Sequence, residues 1–459
     1  MEHHQVPANF KFRNRVTNSQ TSTQASCDFL AKLLSDISIK SRDRLAKGES
    51  LIDLSMINPD IPPPRILVDR LVEATLKVQN HRYAVARGVR RAREGFSALY
   101  QRCFGVPLDP DTEVCVTFGT KDAINTLFSL FASGASYRSD RSNYVPVTLL
   151  LPLPTYPGFI FAAHSAGLSV SYYKADGSED SILASIGEAI KYYPFSVLVL
   201  NYPNNPTGLT VSADFYRRLG VLLESTNVTV VNDFVYGEMG GGVSVLSEQS
   251  LRYRSVETYS LSKAYSVPGW RIGAVMGVPT LVKAVARLKS AMDYGLFLPL
   301  QLAAGIVLSS GELVAQPVIK EYRSRAKILS DLLNSGGWEA PKFNIIGESD
   351  SSFGVSSCSS IWAKLPERWR HLGSRYFAEK ALNHGIVVTP GCAFSNSSVT
   401  NGSLPLGSEV CNSKSGLAGA IVGDLDSSRN VYDQYVRFAL VVKEEKLRSV
   451  GILLNSLEL

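Results

Sequence analysis

The chain has 459 residues, 45% of them hydrophobic and 19% charged, with a formal charge of +6. That balance excludes a disordered or fibrous chain and suggests two or three globular units, at one per ~150 residues. The charge is modest, and the one basic cluster (Arg87, Arg90, Arg91, Arg93) has few aromatics near it, so it reads as a solvated helix face rather than a nucleic-acid surface.

At the N-terminus, residues 11–26 hold Lys, Arg, Ser and Thr without an acid, which leaves a transit peptide open. The simpler reading is a polar lead-in to a helix near Ser26–Lys47. No secretory core is visible, and no apolar run approaches the ~18 residues that span a bilayer. Cys27, Cys103, Cys115, Cys358, Cys392 and Cys411 show no disulfide or zinc spacing, and Cys103 and Cys115 read as core. A reducing, cytoplasmic setting fits, with no metal.

Between residues 65 and 310, short apolar runs stand at Glu113–Phe118, Val147–Leu151, Leu168–Tyr173, Ser196–Leu200, Val228–Val231, Val256–Tyr259 and Ile272–Met276. Most are separated by helix-length segments such as Lys121–Ala132 and Pro157–Ala166. Continuous apolar strands with helical crossovers predict an α/β fold: a mostly parallel, seven-stranded sheet flanked by helices. Ligands in such sheets bind beyond the carboxyl ends of the strands.

After residue 310 the pattern changes to a helix near Pro317–Leu333, strand-like pieces at Ser360–Lys364 and Val436–Val442, and helices near Ser374–His384 and Glu444–Leu457. These predict a smaller α+β domain over residues 311–459, to which residues 1–64 contribute. Two insertions, 348–360 and the Ser/Asn/Gly-rich 395–430, have the composition of mobile surface loops. Asn396 and Asn401 fit Asn-x-Ser and read as chance matches.

One stretch concentrates chemistry: Lys263 lies just after Ser260 and Ser262, and Arg271 follows eight residues later. A neutral lysine amine forms an imine with an aldehyde cofactor such as pyridoxal phosphate. Hydroxyls and a guanidinium then hold the phosphate dianion. Gly119-Thr120-Lys121, between a strand and an apolar helix, would complete the phosphate cup, or else form an ordinary helix start. Asp233 is either a loop acid or the carboxylate that keeps a pyridine nitrogen protonated. Tyr236 and Asn205, the latter opening Asn-Pro-Thr-Gly, would bond the ring's phenolic oxygen. Tyr156 offers an aromatic face for stacking, or packs. Arg437, within an apolar strand pattern, needs a partner if buried: a substrate α-carboxylate, or a structural ion pair.

Together these motifs resemble the class I/II aminotransferases of the pyridoxal-phosphate fold-type I group, near bacterial alanine-forming transaminases and LL-diaminopimelate aminotransferases. The resemblance runs from about Leu51 to the C-terminus, excluding the insertions. It also rests on Asn58-Pro-Asp60, Asp293-Tyr-Gly295 and Pro390-Gly391. It implies pyridoxal 5'-phosphate on Lys263, amino acid and 2-oxo acid substrates, and a homodimer in which Tyr83 reaches the neighbouring subunit's phosphate. Asp233, Tyr236 and Lys263 would carry catalysis, and Ile57, Asn205 and Arg437 would meet the substrate.

Three departures bear on specificity. Ile57 stands where the family usually has Gly, and should shrink or reshape the pocket, favouring alanine-like donors or displacing the pocket toward the second domain. Leu296 and Leu298 replace hydroxyl residues, and the long insertion precedes Arg437. A lyase (a carbon–sulfur lyase or cyclopropane-forming synthase) would use the same residues, and a non-catalytic cofactor-binding regulator is the third reading.

Overall fold

The computed structural model describes residues 18–136, 147–192, 195–343, 359–395 and 431–458. Most of both insertions, with Asn396, Asn401, Cys358 and Cys411, lies outside the described residues.

The large sheet contains β2 (Val114–Thr117), β3 (Thr148–Leu153), β4 (Ser169–Lys174), β5 (Val197–Leu200), β6 (Thr229–Asp233), β7 (Ser255–Ser260) and β8 (Gly273–Gly277). Their order is β2-β8-β7-β6-β5-β3-β4, and only β8 runs antiparallel to its neighbours. The seven-stranded, mostly parallel sheet read from the sequence is therefore the one observed. Continuous apolar runs form it because both faces are covered. In β5, Leu198 and Leu200 enter one hydrophobic cluster while Val197 and Val199 enter the other. At roughly 25 cal/mol per Å² of apolar surface, this two-sided burial is the main stabilising term.

The flanking helices start and stop where local chemistry dictates. Pro157 opens the helix Pro157–Ser165, where its missing N–H costs nothing. Ser212 caps Ala213–Leu223 by accepting from the Phe215 N–H. Gly105, at φ +67°, ends Arg90–Phe104 in the left-handed region.

A smaller antiparallel sheet has the order β11 (Thr389–Pro390), β12 (Tyr435–Ala439), β9 (Ser360–Lys364). Beside it, β1 (Ile52–Asp53) pairs in parallel with β10 (Ile386–Val387), so the chain before residue 65 is stitched to the chain after residue 310. The N-terminal helix Asn18–Ala46 places Cys27, Leu30 and Leu33 in the cluster that also holds Phe159, Ile160 and Val170.

The basic cluster departs from a purely solvated face. Arg87 Nε donates to the Val114 carbonyl at 3.0 Å, and Arg93 bonds the Gly88 and Pro110 carbonyls as well as Asp111. The apolar stems of these arginines let their heads reach backbone across a loop. Cys115 is buried, as read, while Cys103 is only half-buried. Among the described residues no helix is long and apolar enough to cross a membrane.

Candidate active site

The carboxyl ends of β2, β3, β5, β6 and β7 open on a cleft of about 860 Å³, closed from the other side by β1, β11 and β12. Into it come Ile57, Thr120, Lys121, Tyr156, Asn205, Asp233, Tyr236, Ser262, Lys263, Arg271 and Arg437. Residues scattered over 380 positions of sequence thus share one cavity.

Lys263 follows β7, and its Nζ donates to the Ile57 carbonyl. Burial, then the nearby Arg437 and Arg271 charges, lower its pKa to about 8 against an opposing pull from Asp233. About a tenth of the amine is then neutral at pH 7, far more than for an ordinary lysine.

Asp233 is the last residue of β6, rather than lying beyond the strand. The register sets it opposite Thr258, whose Oγ1 donates to Asp233 Oδ1 at 3.1 Å. Burial raises its pKa to about 6, while Thr258, the Val235 N–H and Lys263 favour the ionised form. No described basic residue forms an ion pair with it. Tyr236, three residues on, is buried beside the cleft.

Arg437 lies in the middle of β12, flanked across the sheet by Trp362 and Thr389. It is buried, and Nη1 donates to Asn205 Oδ1 at 3.1 Å. Nη2 bonds the Ser55 carbonyl, and Thr389 Oγ1 at 3.2 Å. The guanidinium sits 5.0 Å from the centre of the Phe394 ring. Its Nε has no hydrogen-bond partner, and among the described residues it has no carboxylate within ion-pair distance. The structural ion pair offered as one reading of this arginine is absent there. A buried charged donor left unmatched costs roughly 1–3 kcal/mol or more, so an incoming carboxylate meets a ready fork.

At the other end of the cleft, Gly119 turns at φ +81° before the helix Thr120–Ser136. A Cβ on Gly119 would stand 2.9 Å from Arg271 Nη2, so only bare backbone leaves this cup open. Arg271 itself donates to the Pro268 and Phe118 carbonyls at 2.9 and 3.0 Å. Ser262 faces the cleft, whereas Ser260 sits one layer behind it. Ser260 Oγ donates to the Ile272 carbonyl, accepts from the Ser262 N–H, and lies 2.7 Å from Ser262 Oγ. Tyr156 presents its ring to the cleft, edge-on to Phe159.

Tyr83 stands apart: it is 88% exposed and does not line this cleft. Ile57 is buried within the cluster that contains Leu54, and contributes its carbonyl to Lys263. Leu296 is also buried.

Sequence reasoning passed over Asn201 and Thr389. Asn201 Nδ2 donates to the Asp233 carbonyl at 2.8 Å, and its Oδ1 accepts from the Asn205 N–H at 2.9 Å. It stands immediately after β5, at the carboxyl end where ligand residues gather, and that position was the available signal. Thr389, beside Pro390-Gly391, braces both Arg437 and Ser55.

These residues fit pyridoxal 5'-phosphate. A buried carboxylate with no ion pair among the described residues suits a ring N–H, a low-pKa lysine suits the aldehyde, and a glycine cup with Ser262 and Arg271 suits the phosphate.

Comparison with known proteins agrees with this geometry. The family model for aminotransferase class I and II matches residues 49–402. The glutamate-pyruvate aminotransferase AlaC of Escherichia coli K12 is 32% identical over 76% of this chain and 80% of its own length. An LL-diaminopimelate aminotransferase of Dehalococcoides mccartyi is 31% identical over 80% of this chain and 89% of its own. Substrate-bound BacF of Bacillus subtilis superposes with a TM-score of 0.72 at 24% identity, covering 92% of this chain and 93% of that one, a likeness of fold. The chain belongs to the class I and II aminotransferases, enzymes that use pyridoxal 5'-phosphate.

Proposed function

We propose that this aminotransferase moves an amino group between a small, alanine-like amino acid and a 2-oxo acid, as a cytoplasmic homodimer with shared sites. The observation that carries the reading is the single cleft uniting Lys263, Asp233, Asn205 and a carboxylate-free Arg437. AlaC, named a glutamate-pyruvate aminotransferase, supports pyruvate as an acceptor, which on amination gives alanine.

In this reading Gly119, Thr120, Lys121, Ser262 and Arg271 hold the cofactor phosphate, with Ser260 fixing the Ser262 hydroxyl. Tyr156 would lie against the ring, and Asn205 and Tyr236 would bond its phenolic oxygen. The bound cofactor supplies an aldehyde for the amino group and a ring that withdraws electrons from the substrate Cα. Asp233 would keep a proton on the ring nitrogen. Arg437 forks onto the substrate α-carboxylate and so sets which Cα bond faces Lys263. Lys263 Nζ would take the Cα proton and give it back on the far side of the amino nitrogen, at the carbon that the cofactor's aldehyde supplies. Ile57, beside Lys263, limits the space for a substrate side chain.

Tyr83 supports the dimer: its exposed ring packs edge-on against exposed Tyr294, and Val78, Val85 and Phe297 are exposed as well, apolar surface suited to a second copy. In that assembly Tyr83 would reach the cofactor phosphate of the partner subunit.

The test is to assay purified protein against a panel of amino acids with pyruvate and with 2-oxoglutarate. Fastest turnover with small donors and no net ammonia is expected. Ammonia release with thiol elimination would replace this reading with a lyase, and equal efficiency for bulky donors would remove the small-donor preference.

A further inference from the structure

A charge cluster behind the phosphate cup takes no part in the chemistry above. Lys289, in the helix Pro279–Met292, has no exposed side-chain surface. Its Nζ donates to Asp122 Oδ2 at 2.9 Å and to Asp293 Oδ2 at 2.6 Å, and lies 4.8 Å from the centre of the Phe118 ring. Burying an ammonium is tolerated only with such close pairing.

Each carboxylate has a second attachment. Asp122 Oδ2 also accepts from the Phe118 N–H at 2.9 Å, while the Phe118 carbonyl accepts from Arg271 Nη2 at 3.0 Å. The Phe118 residue is thus pinned at its amide by Asp122, and its carbonyl in turn steadies Arg271. Gly119 and Thr120 follow directly. On the other side, Asp293 Oδ1 accepts from the Gly295 N–H at 2.8 Å, at a corner where Tyr294 has φ +60°. Tyr294 packs edge-on against Tyr83, with ring centres 5.6 Å apart. Lys289 is the point at which the phosphate turn and this corner meet.

We propose that Lys289 is a positioning residue for the phosphate-binding turn. By holding Asp122 and Asp293 together it fixes Phe118, and through Phe118 both the Gly119–Lys121 amides and the Arg271 guanidinium. Without the ammonium the two carboxylates repel, and the turn loses the anchor on its first amide. The proposal rests on the reading that this turn and Arg271 take the cofactor phosphate.

Phosphate dependence distinguishes positioning from general structural support. Cofactor-free full-length protein is titrated with pyridoxal 5'-phosphate and, separately, with pyridoxal, which has the same ring and aldehyde but no phosphate. Binding is read by absorbance for the wild type, Lys289→Met, Lys289→Gln and Lys289→Arg. The expected result is a loss of about tenfold or more in affinity for the phosphorylated form in the Met and Gln variants, the scale of one charged hydrogen bond. Affinity for pyridoxal should change less than about twofold, and Lys289→Arg should recover part of the loss. If Lys289→Met does not fold by circular dichroism, Lys289→Gln, whose amide still bonds one carboxylate, decides the matter. An unchanged ratio of the two affinities, or an equal loss of both, overturns the proposal. A wild-type protein that binds the phosphorylated form no more tightly than pyridoxal defeats the phosphate-site reading itself.

Discussion

Arg437 donates to the side-chain oxygen of Asn205 at 3.1 Å, joining residues 232 positions apart. The residue proposed for the substrate carboxylate and the residue proposed for the ring oxygen are thus one hydrogen-bonded unit. A substrate that engages the guanidinium acts on the same bond that orients the Asn205 amide.

Arg437→Lys follows from that relationship. A lysine ammonium cannot serve Asn205, Ser55 and Thr389 and still present a planar fork. Catalytic efficiency with any amino acid should fall about 100-fold, on the scale of a lost bidentate charged contact. Affinity for the cofactor should hold. Steady-state kinetics beside an absorbance titration separates the two, and equal losses in both would place Arg437 in the cofactor site instead.

Asp233→Asn keeps shape and removes charge. In the proposed role the ring nitrogen would then lose the carboxylate that holds its proton, and kcat should drop on the order of 100-fold or more, with KM little changed. A deuterium isotope effect at Cα should grow as proton removal becomes limiting. Undiminished kcat would exclude Asp233 from this role.

Glu257 gives a pH prediction. Buried on β7, it accepts from Ser244 Oγ, the Val245 N–H and Asn232 Nδ2. Burial outweighs these bonds and raises its pKa from 4.5 to about 7. The folded state therefore binds this proton more tightly than the unfolded state. The associated stability is complete below pH 4.5 and is lost as pH rises through 7. The difference amounts to roughly 3 kcal/mol. Glu257→Gln should flatten the fall in stability between pH 5 and 8, measured by urea unfolding; a slope equal to wild type would place the titration elsewhere.

Ile57→Gly should raise the efficiency of bulky donors relative to alanine while leaving cofactor affinity intact. Because Ile57 also belongs to the cluster around Leu54, the change should cost about 3–5 kcal/mol of stability. A bulky-to-alanine ratio equal to wild type would mean the side chain serves only that cluster.

The strands were legible because each is buried on both faces, which writes a continuous apolar run into the chain, as in Val197–Leu200. The helix Asn18–Ala46 begins ahead of its expected start near Ser26, since a polar first stretch carries little apolar periodicity. Ser260 and Ser262 read alike in sequence, yet only the second faces the cleft, a distinction set by where β7 ends. Asn201 and Thr389 escaped notice because their work is to brace neighbouring residues, largely through main-chain groups, which leaves no motif. Arg93 misled because a run of charges does not reveal that its head reaches the Pro110 carbonyl.

The segment after β1 touches the two cations through main-chain oxygens: Ser55 to Arg437, and Ile57 to Lys263. Oxygens of that kind belong to every residue type. Substitutions at positions 55 to 57 can therefore change the shape and polarity of the wall without deleting either tether. The strap is a region in which new specificities can be selected while Lys263 and Arg437 stay held.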